Sequence, residues 1–158
     1  MGAEEVSDAR WNPEAFEQAL AEAQTGLAEG GVPIGAALEL DGQLAATGRN
    51  ERVQHGDPIA HGEIACLRRA GRQPTYRTGV LYTTLAPCVM CSGAILLFGI
   101  PRVVVGENRT FPGELDLLRS RGVEVIVLDD ARCIELMETF QATYPHVWAE
   151  DIGDVAIT

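Results

Sequence analysis

The chain has 158 residues, 46% of them hydrophobic, which is the size and composition of one globular domain with a single core. Its longest apolar run is much shorter than the roughly 18 residues that a membrane span needs, so we expect no membrane partner. Its acidic start lacks the basic and apolar stretches of a secretory signal, so we expect a cytoplasmic protein. The net charge of −11, with 23 acidic residues against 12 arginines and no lysine, disfavours binding to the phosphates of nucleic acids.

The first half of the chain contains signals for two helices and a hairpin. Asn12 followed by Pro13 is typical of a helix start, because the asparagine caps the first turn and proline fits the first helical position. Asp41-Gly42 is a strong hairpin signal, so the strands beside it are expected to be antiparallel neighbours. The predicted elements are a helix from Pro13 that ends before Gly30, strands over 34–40 and 43–47, a loop over 51–58 and a helix over 60–70.

The second half alternates short apolar runs with helical patterns. The runs at 102–105 and 123–128 are apolar and mostly β-branched apart from Arg102 and Glu124, and we expect them to form parallel strands buried on both faces. The predicted elements are strands over 80–84, 102–105 and 123–128, and helices over 87–98, 114–120 and 130–144, with Pro145 ending the last one. The fold class is therefore α/β, a three-layer arrangement in which helices cover both faces of a central five-stranded mixed sheet.

Two short stretches carry the residues most suited to chemistry. They are His61-Gly62-Glu63 and, directly after Pro87, the pair Cys88 and Cys91. A histidine and two cysteines can hold Zn²⁺ while its fourth position stays open to water, as in catalytic rather than structural zinc sites. Glu63 would lie beside the metal without being needed as a ligand, which suits a proton carrier. The pattern H-x-E followed by P-C-x-x-C is the signature of zinc deaminases that act on nucleobases.

Two other classes of protein could use these cysteines. A C-x-x-C pair at a helix start also occurs in thiol redox proteins, although the added H-x-E favours zinc. A structural zinc module would need a fourth ligand, for which the candidates are His55, His146, Cys66 and Cys133. Cys66 lies five residues beyond His61 on the same predicted helix and so points away from it. We interpret Cys66 and Cys133 as buried, small apolar residues.

Several other residues have an ordinary interpretation on the sequence alone. Glu63 could be a first-turn acid favoured by the helix dipole. Asn50 could simply end a strand, and Asp151 could be one more acid in an acidic tail. Phe111 and Trp148 could be common core or surface aromatics.

Longer stretches of the chain add a family resemblance. They are Gly30 to Gly35, His61 to Glu63, Leu81 to Leu85, Pro87-Cys88 with Met90-Cys91, Gly99 to Arg102, Val105 to Asn108, Asp129-Asp130 and Glu150 to Gly153. On these stretches the chain, from about Trp11 to Gly153, resembles the fungal type of cytosine deaminase within the cytidine deaminase-like superfamily. The chain departs from that family at Ala86 and Thr110, where serine and asparagine are expected, and it continues beyond Gly153.

The resemblance implies a cytidine deaminase-like fold and a zinc enzyme. It implies one Zn²⁺ per chain held by His61, Cys88 and Cys91, with Glu63 as the catalytic proton shuttle. It also implies a homodimer, which agrees with the predicted helix over 87–98 being apolar nearly all round. The substrate-binding residues that it implies are Ile34, Asn50, Gly62, Ala86, Phe111, Trp148 and Asp151.

The expected protein is thus a single deaminase domain. We expect residues 1–10 to form a poorly ordered tail and residues 145–158 to form a lid over the active site. The expected reaction is hydrolytic deamination of a free nucleobase, above all cytosine to uracil and ammonia, in pyrimidine salvage. The alternatives are a deaminase of guanine or of cytosine-like triazine or azapyrimidine bases and, outside the class, a thiol redox protein or a structural zinc module.

Overall fold

The structure, a computed structural model, describes residues 8–154. The tail predicted over residues 1–10 and the lid predicted over residues 145–158 therefore lie partly outside the described residues. The helices and strands, in chain order, are α1 (Pro13–Ala28), β1 (Gly35–Leu40), β2 (Gln43–Arg49), α2 (Arg52–His55), α3 (Gly62–Ala70), β3 (Gly79–Leu85), α4 (Val89–Phe98), β4 (Arg102–Glu107), α5 (Leu115–Ser120), β5 (Glu124–Val127), α6 (Ala131–Thr143) and α7 (Pro145–Asp151).

The five strands form one mixed sheet in the order β2-β1-β3-β4-β5. β1 pairs antiparallel with both β2 and β3, whereas β3, β4 and β5 are parallel to one another. The hairpin between β1 and β2 turns at Asp41 and Gly42, whose φ angles of 51° and 75° are both positive. A type I′ turn needs this conformation, and its twist matches that of the strands it joins. The predicted mixed sheet is confirmed.

Helices cover both faces of the sheet, because successive side chains of a strand point to opposite sides. Leu81 of β3 and Val103 of β4 pack on one face against buried residues of α3, α4 and α5. Tyr82 and Val104, the next residue of each strand, pack on the other face with α1 and α6. The predicted three-layer architecture is therefore confirmed.

Two short helices differ from the prediction. α2 lies within the segment predicted as a loop over 51–58, and it is a single turn ended by Gly56 at φ 61°. α7 begins at Pro145, which the sequence pattern marks only as the end of α6. Proline serves both purposes, since it cannot donate a hydrogen bond into a preceding turn and it fits the first position of a new helix.

One edge of the sheet collects the ends of several elements. β3 and β4 are parallel, so both end at the same edge. After Leu85, the last residue of β3, the chain passes into α4, whereas after Glu107, the last residue of β4, it enters an irregular segment over residues 108–114. Residues at the starts of α3 and α4 meet there, which makes this edge the place to look for a functional site.

Among residues 8–154, no helix combines the length and the apolar character needed to cross a membrane.

Candidate metal centre and active-site pocket

His61, Cys88 and Cys91 come together where α3 and α4 begin. His61 and Cys88 have extended backbone and are the N-cap residues of their helices, so both helices start two residues later than predicted. Cys91 lies in the first turn of α4. The Nδ1 atom of His61 is 3.4 Å from Cys88 Sγ and 3.7 Å from Cys91 Sγ.

The spacing of these three atoms fits Zn²⁺. A tetrahedral zinc ion with Zn–N of about 2.0 Å and Zn–S of about 2.3 Å places its nitrogen and sulfur ligands about 3.5 Å apart. The two distances from His61 Nδ1, 3.4 and 3.7 Å, lie on either side of that value. One nitrogen and two sulfur ligands leave one tetrahedral position for a small molecule.

No further histidine, cysteine or acidic residue in the described part of the chain joins this cluster. Cys66 and Cys133 are buried elsewhere, and burial raises the pKa of each thiol to about 12. His55 is exposed and its Nε2 lies 2.6 Å from Glu51 Oε2, while His146 is exposed on α7. The cluster therefore has the three protein ligands of an open site rather than the four of a closed one.

The two thiols have different electrostatic surroundings. A hydrogen bond with Cys91, together with one to His61, lowers the pKa of Cys88 to about 4. The neighbouring Cys88 and burial raise the pKa of Cys91. Burial lowers the pKa of His61, but its hydrogen bond to Cys88 and nearby carboxylates outweigh this and raise it to about 9. A dication would displace the protons of this cluster, because zinc binds thiolate and neutral imidazole.

Glu63 is buried beside the cluster, in the first turn of α3. The hydroxyl oxygen of Thr83, near the end of β3, lies 2.9 Å from Glu63 Oε1 and also 2.9 Å from the carbonyl oxygen of Leu85. Burial raises the pKa of Glu63 above its ordinary value. The carboxyl group is thus held in place by one neighbour that can either donate or accept a hydrogen bond.

Asp151, the last residue of α7, contacts the metal cluster from the other end of the chain. Its Oδ1 accepts a hydrogen bond from Asn50 Nδ2 at 2.8 Å, and Arg52 Nη1 lies 3.7 Å away. Its Oδ2 lies 3.7 Å from His61 Nε2, the ring nitrogen that faces away from the thiols. This distance is longer than a hydrogen bond, so the carboxylate acts on His61 through its charge, which favours the tautomer that carries its proton on Nε2. Burial raises the pKa of Asp151.

A small pocket borders the cluster. Its open volume is about 10 Å³, roughly enough for one water molecule. Phe111 and Trp148 form one wall, with ring centroids 5.7 Å apart and ring planes at 85°. The lining residues are Ile34, His61, Glu63, Leu85, Ala86, Cys88, Phe111, Trp148, Asp151 and Ile152.

Of the seven substrate contacts implied by sequence resemblance, five line this pocket, and the other two, Asn50 and Gly62, adjoin its lining residues Asp151 and His61. Asn50 is fully buried and holds Asp151, while its Oδ1 accepts from the backbone N–H of Arg52. Gly62 lies so close to β1 that a Cβ atom there would be 3.1 Å from the carbonyl oxygen of Ile34. The sequence interpretation missed Leu85, Ile152, Thr83 and Arg52. The first two are direct neighbours of implied residues, whereas no motif signals the contacts of Thr83 or Arg52.

Comparison with known proteins agrees with this geometry. Residues 9–107 match the family model described as the cytidine and deoxycytidylate deaminase zinc-binding region. The chain is 48% identical to a cytosine deaminase of Candida albicans over 139 residues, which covers 86% of this chain and 93% of that protein. A solved structure from studies of A-to-I editing by tRNA:A34 deaminases has a TM-score of 0.67 at 30% identity, covering 79% of this chain and 99% of that one. A guanine deaminase from Nitrosomonas europaea has a TM-score of 0.66 at 26% identity, covering 83% and 85%.

Proposed function

Because this chain belongs to the family defined by the cytidine and deoxycytidylate deaminase zinc-binding region, we propose that it hydrolyses free cytosine to uracil and ammonia. It is a zinc-dependent deaminase, a hydrolase of C–N bonds, with His61, Cys88 and Cys91 as its candidate metal site. This family membership replaces both interpretations from other classes, the thiol redox protein and the structural zinc module.

The aromatic wall of the small pocket beside the metal cluster is the observation that favours a free base. Phe111 and Trp148 cover the pocket from one side, so a substrate larger than one ring system would have to extend through that wall. The aligned length of 139 residues shared with the Candida cytosine deaminase extends beyond the zinc-binding region, which favours cytosine among the bases.

In the proposed reaction Glu63 moves the protons. Zinc at this site would supply a coordination position at which water loses a proton near neutral pH. The carboxylate of Glu63 takes up that proton and delivers it to the ring nitrogen beside the amino-bearing carbon. Glu63 then takes the second proton of the attacking water, from the hydroxyl now bonded to the ring carbon, and delivers it to the amino group, which leaves as ammonia as the ring C=O forms. Thr83 suits both states, because its hydroxyl donates to Glu63 when the carboxylate is ionised and turns to the Leu85 carbonyl when Glu63 is protonated.

The remaining side chains would orient the base. Asp151 accepts from the amino group of cytosine, and Asn50 keeps a second amide proton for the ring edge after donating one to Asp151. The N–H of Ala86 donates to the Glu107 carbonyl at 3.0 Å, which leaves the Ala86 carbonyl to face the ring. Gly62 is the first residue of α3, so its N–H has no acceptor within the helix and can donate to the substrate.

Guanine is the second candidate, because one of the similar structures is a guanine deaminase. The identity of 48% to a cytosine deaminase, against 26% to the guanine deaminase structure, favours cytosine over guanine. An azapyrimidine base has the same ring size as cytosine and is therefore included as an alternative substrate. A tRNA substrate is disfavoured by the net charge of −11, because phosphate binding would need a continuous basic surface.

The assembly and location of the enzyme belong to the same proposal. On α4 the side chains of Val89, Leu97 and Phe98 are 66%, 78% and 44% exposed, which supports a homodimer that covers this helix. The cysteines of the described residues are all free thiols, which supports the reducing cytoplasm. Uracil formed there would enter pyrimidine salvage.

Ammonia release from a panel of substrates tests the proposed function. The zinc-loaded protein is given cytosine, an azapyrimidine base, guanine, cytidine and a tRNA in separate steady-state assays. We expect cytosine to have the highest kcat/KM. A higher value for guanine would transfer the assignment to the second candidate, and no ammonia from any of these substrates would refute the proposed function.

A further inference from the structure

Glu107, the last residue of β4, is a buried carboxylate that the proposed chemistry does not use. Its side chain belongs to a residue with 0% exposure. A carboxylate buried in this way is costly unless hydrogen-bond donors or a cation compensate for the lost water. Its position at the pocket edge of the sheet makes the identity of those donors informative.

The partners of Glu107 are donors from the irregular segment that follows it. Its Oε2 accepts from the backbone N–H groups of Arg109 at 2.7 Å and Thr110 at 3.0 Å, and its Oε1 accepts from the Thr110 hydroxyl. The guanidinium of Arg109 turns away and pairs with Asp129. Glu107 thus binds the backbone of the segment rather than a cationic side chain. A carboxylate holds such a backbone firmly, because hydrogen bonds to an ionised acceptor are about twice as strong as those between neutral groups.

This segment carries Phe111, one of the two aromatic walls of the pocket. The segment over residues 108–114 has no regular secondary structure of its own. Gln141 Nε2 donates to the carbonyl of Thr110 at 3.2 Å, and the N–H of Glu114 donates to the carbonyl of Pro87 at 3.0 Å. Phe111 therefore lies between Thr110, which Glu107 holds directly, and a second fixed point near the metal cluster.

The backbone of Glu107 is attached to a second segment that lines the pocket. Its carbonyl oxygen accepts from the N–H of Ala86 at 3.0 Å. Ala86 lines the pocket and precedes Pro87 and Cys88 in the chain. One residue thus connects two lining segments, through its backbone to Ala86 and through its side chain to the segment of Phe111.

We propose that Glu107 is a positioning residue that sets the distance between the Phe111 wall and the Ala86 side of the pocket, with the Thr110 hydroxyl as its side-chain partner. This inference rests on the proposed function, because it takes Phe111 as a substrate contact. Glu107 acts through the 109–110 backbone and does not touch the base itself.

Substitutions at Glu107 separate hydrogen-bond geometry from charge. In Glu107→Gln the side-chain carbonyl can accept from both backbone N–H groups and the amide can donate to the Thr110 hydroxyl, so we expect kcat/KM for cytosine to stay within about threefold of the original. In Glu107→Leu three donors lose their acceptor. We expect its KM to rise about tenfold or more with a smaller change in kcat, because a displaced wall weakens ground-state and transition-state binding alike.

A milder pair of variants covers the case in which Glu107→Leu does not fold. Thr110→Val removes the hydroxyl at nearly constant volume and should raise KM for cytosine by about threefold or more. Thr110→Ser keeps the hydroxyl, so its KM should be close to that of the original protein. Asp116→Leu is the matched control, because Asp116 is an exposed acid on α5, just beyond the same segment. Its kcat and KM should equal those of the original protein.

Fluorescence of Trp148 supplies a readout that does not depend on catalysis. Trp11→Phe leaves Trp148 as the single tryptophan, and Trp148 packs edge-on against Phe111. In that background Glu107→Leu or Thr110→Val should shift the emission and increase quenching by acrylamide, whereas Glu107→Gln and Thr110→Ser should not.

These measurements distinguish the two proposals. If the original protein released no ammonia from cytosine but Glu107→Leu or Thr110→Val still shifted the Trp148 emission, the proposed function would be refuted. The inference that Glu107 sets the position of Phe111 would be retained. Unchanged KM and unchanged emission in folded Glu107→Leu or Thr110→Val would refute the positioning inference. The inference would also be refuted if KM for cytosine rose as much in Glu107→Gln as in Glu107→Leu, because the charge of Glu107 rather than its hydrogen-bond geometry would then be the cause.

Discussion

At the scale of single residues, the metal centre joins two cysteines in one helix turn with a histidine 27 residues before the first of them. Burial and hydrogen bonding give Cys88 a low pKa and Cys91 a high one, although the two are equivalent in the sequence motif. Both cysteines have to be thiolates in the metal complex. The site has only three protein ligands, so the loss of any one of them weakens metal binding.

Replacement of either thiol should therefore release the metal. We expect Cys88→Ala and Cys91→Ala to lower bound zinc from one per chain to well below one, as measured by elemental analysis of the purified proteins. Cys66→Ala is the matched control, since Cys66 is a buried thiol outside the cluster and its loss should leave the zinc content unchanged. Full zinc retention in both motif variants would contradict the assigned ligands.

Glu63 makes a separate prediction about proton transfer. Glu63→Gln should keep zinc and fold but lower kcat by about 10²–10⁴-fold, because an amide can hydrogen-bond to Thr83 yet cannot carry the proton. Glu138→Gln, at an exposed position on α6, provides a control that should keep its activity. Normal turnover by Glu63→Gln would show that another group moves the proton.

Residues close together in a motif could be predicted from the sequence, whereas those joined only by the fold could not. His61, Glu63, Cys88 and Cys91 follow from two short motifs and simple coordination chemistry. Thr83 and Arg52 have no such signal, because their importance depends on contacts with Glu63 and Asp151 that the sheet and α7 create. Asn50 and Asp151 could be placed only through family resemblance, since their hydrogen bond spans 101 positions of the chain.

At the scale of elements, α7 is decisive for the pocket and was the least predictable from local pattern. It has only seven residues, and the acidic stretch around it indicates a tail rather than a helix. Trp148 and Asp151 lie about one helical turn apart on it, so both reach the pocket from the same face. The longer helices and the strands were predictable because apolar periodicity specifies them locally, whereas α7 is stabilised by packing against Phe111 and by the Asn50 contact.

The placement of α7 predicts discrimination between base and nucleoside. Cytidine carries a ribose that would have to pass the wall of Phe111 and Trp148, so we expect much lower kcat/KM for cytidine than for cytosine in parallel steady-state assays. Asp151→Ala should lower kcat/KM for cytosine by at least about tenfold through loss of a charge-assisted hydrogen bond.

Glu150→Ala changes the preceding, exposed residue of α7 and should have little effect. A nucleoside used as well as the base would mean that α7 does not close the pocket in solution.

At the scale of the whole molecule, the charge distribution disfavours nucleic acid as a partner, whereas the exposed apolar surface favours another protein. Many of the arginines are already engaged with acids rather than free to form a basic track. Those in ion pairs are Arg10, Arg49, Arg52, Arg68, Arg69, Arg102, Arg109 and Arg132. The apolar side chains on α4 instead favour a protein partner, and a second copy of the chain is the proposed one.

A charge on α4 should therefore disrupt the dimer. Leu97 is 78% exposed, so Leu97→Asp should alter the folding stability of one chain little while opposing burial against a second chain. We expect sedimentation equilibrium to give a dimer for the original protein and a monomer for Leu97→Asp. Leu44→Asp, at a 50% exposed position on β2, should remain a dimer. A monomeric original protein would contradict the proposed assembly.

The order of elements along the chain also has a consequence for synthesis. α3 and α4, which hold the metal cluster, leave the ribosome well before α7, which supplies Trp148 and Asp151. A nascent chain can therefore assemble its zinc ligands while the site is still uncovered, and metal can enter from the side that α7 later occupies. A chain that ended before Pro145 would lack Trp148 and Asp151, the residues of α7 that line the pocket.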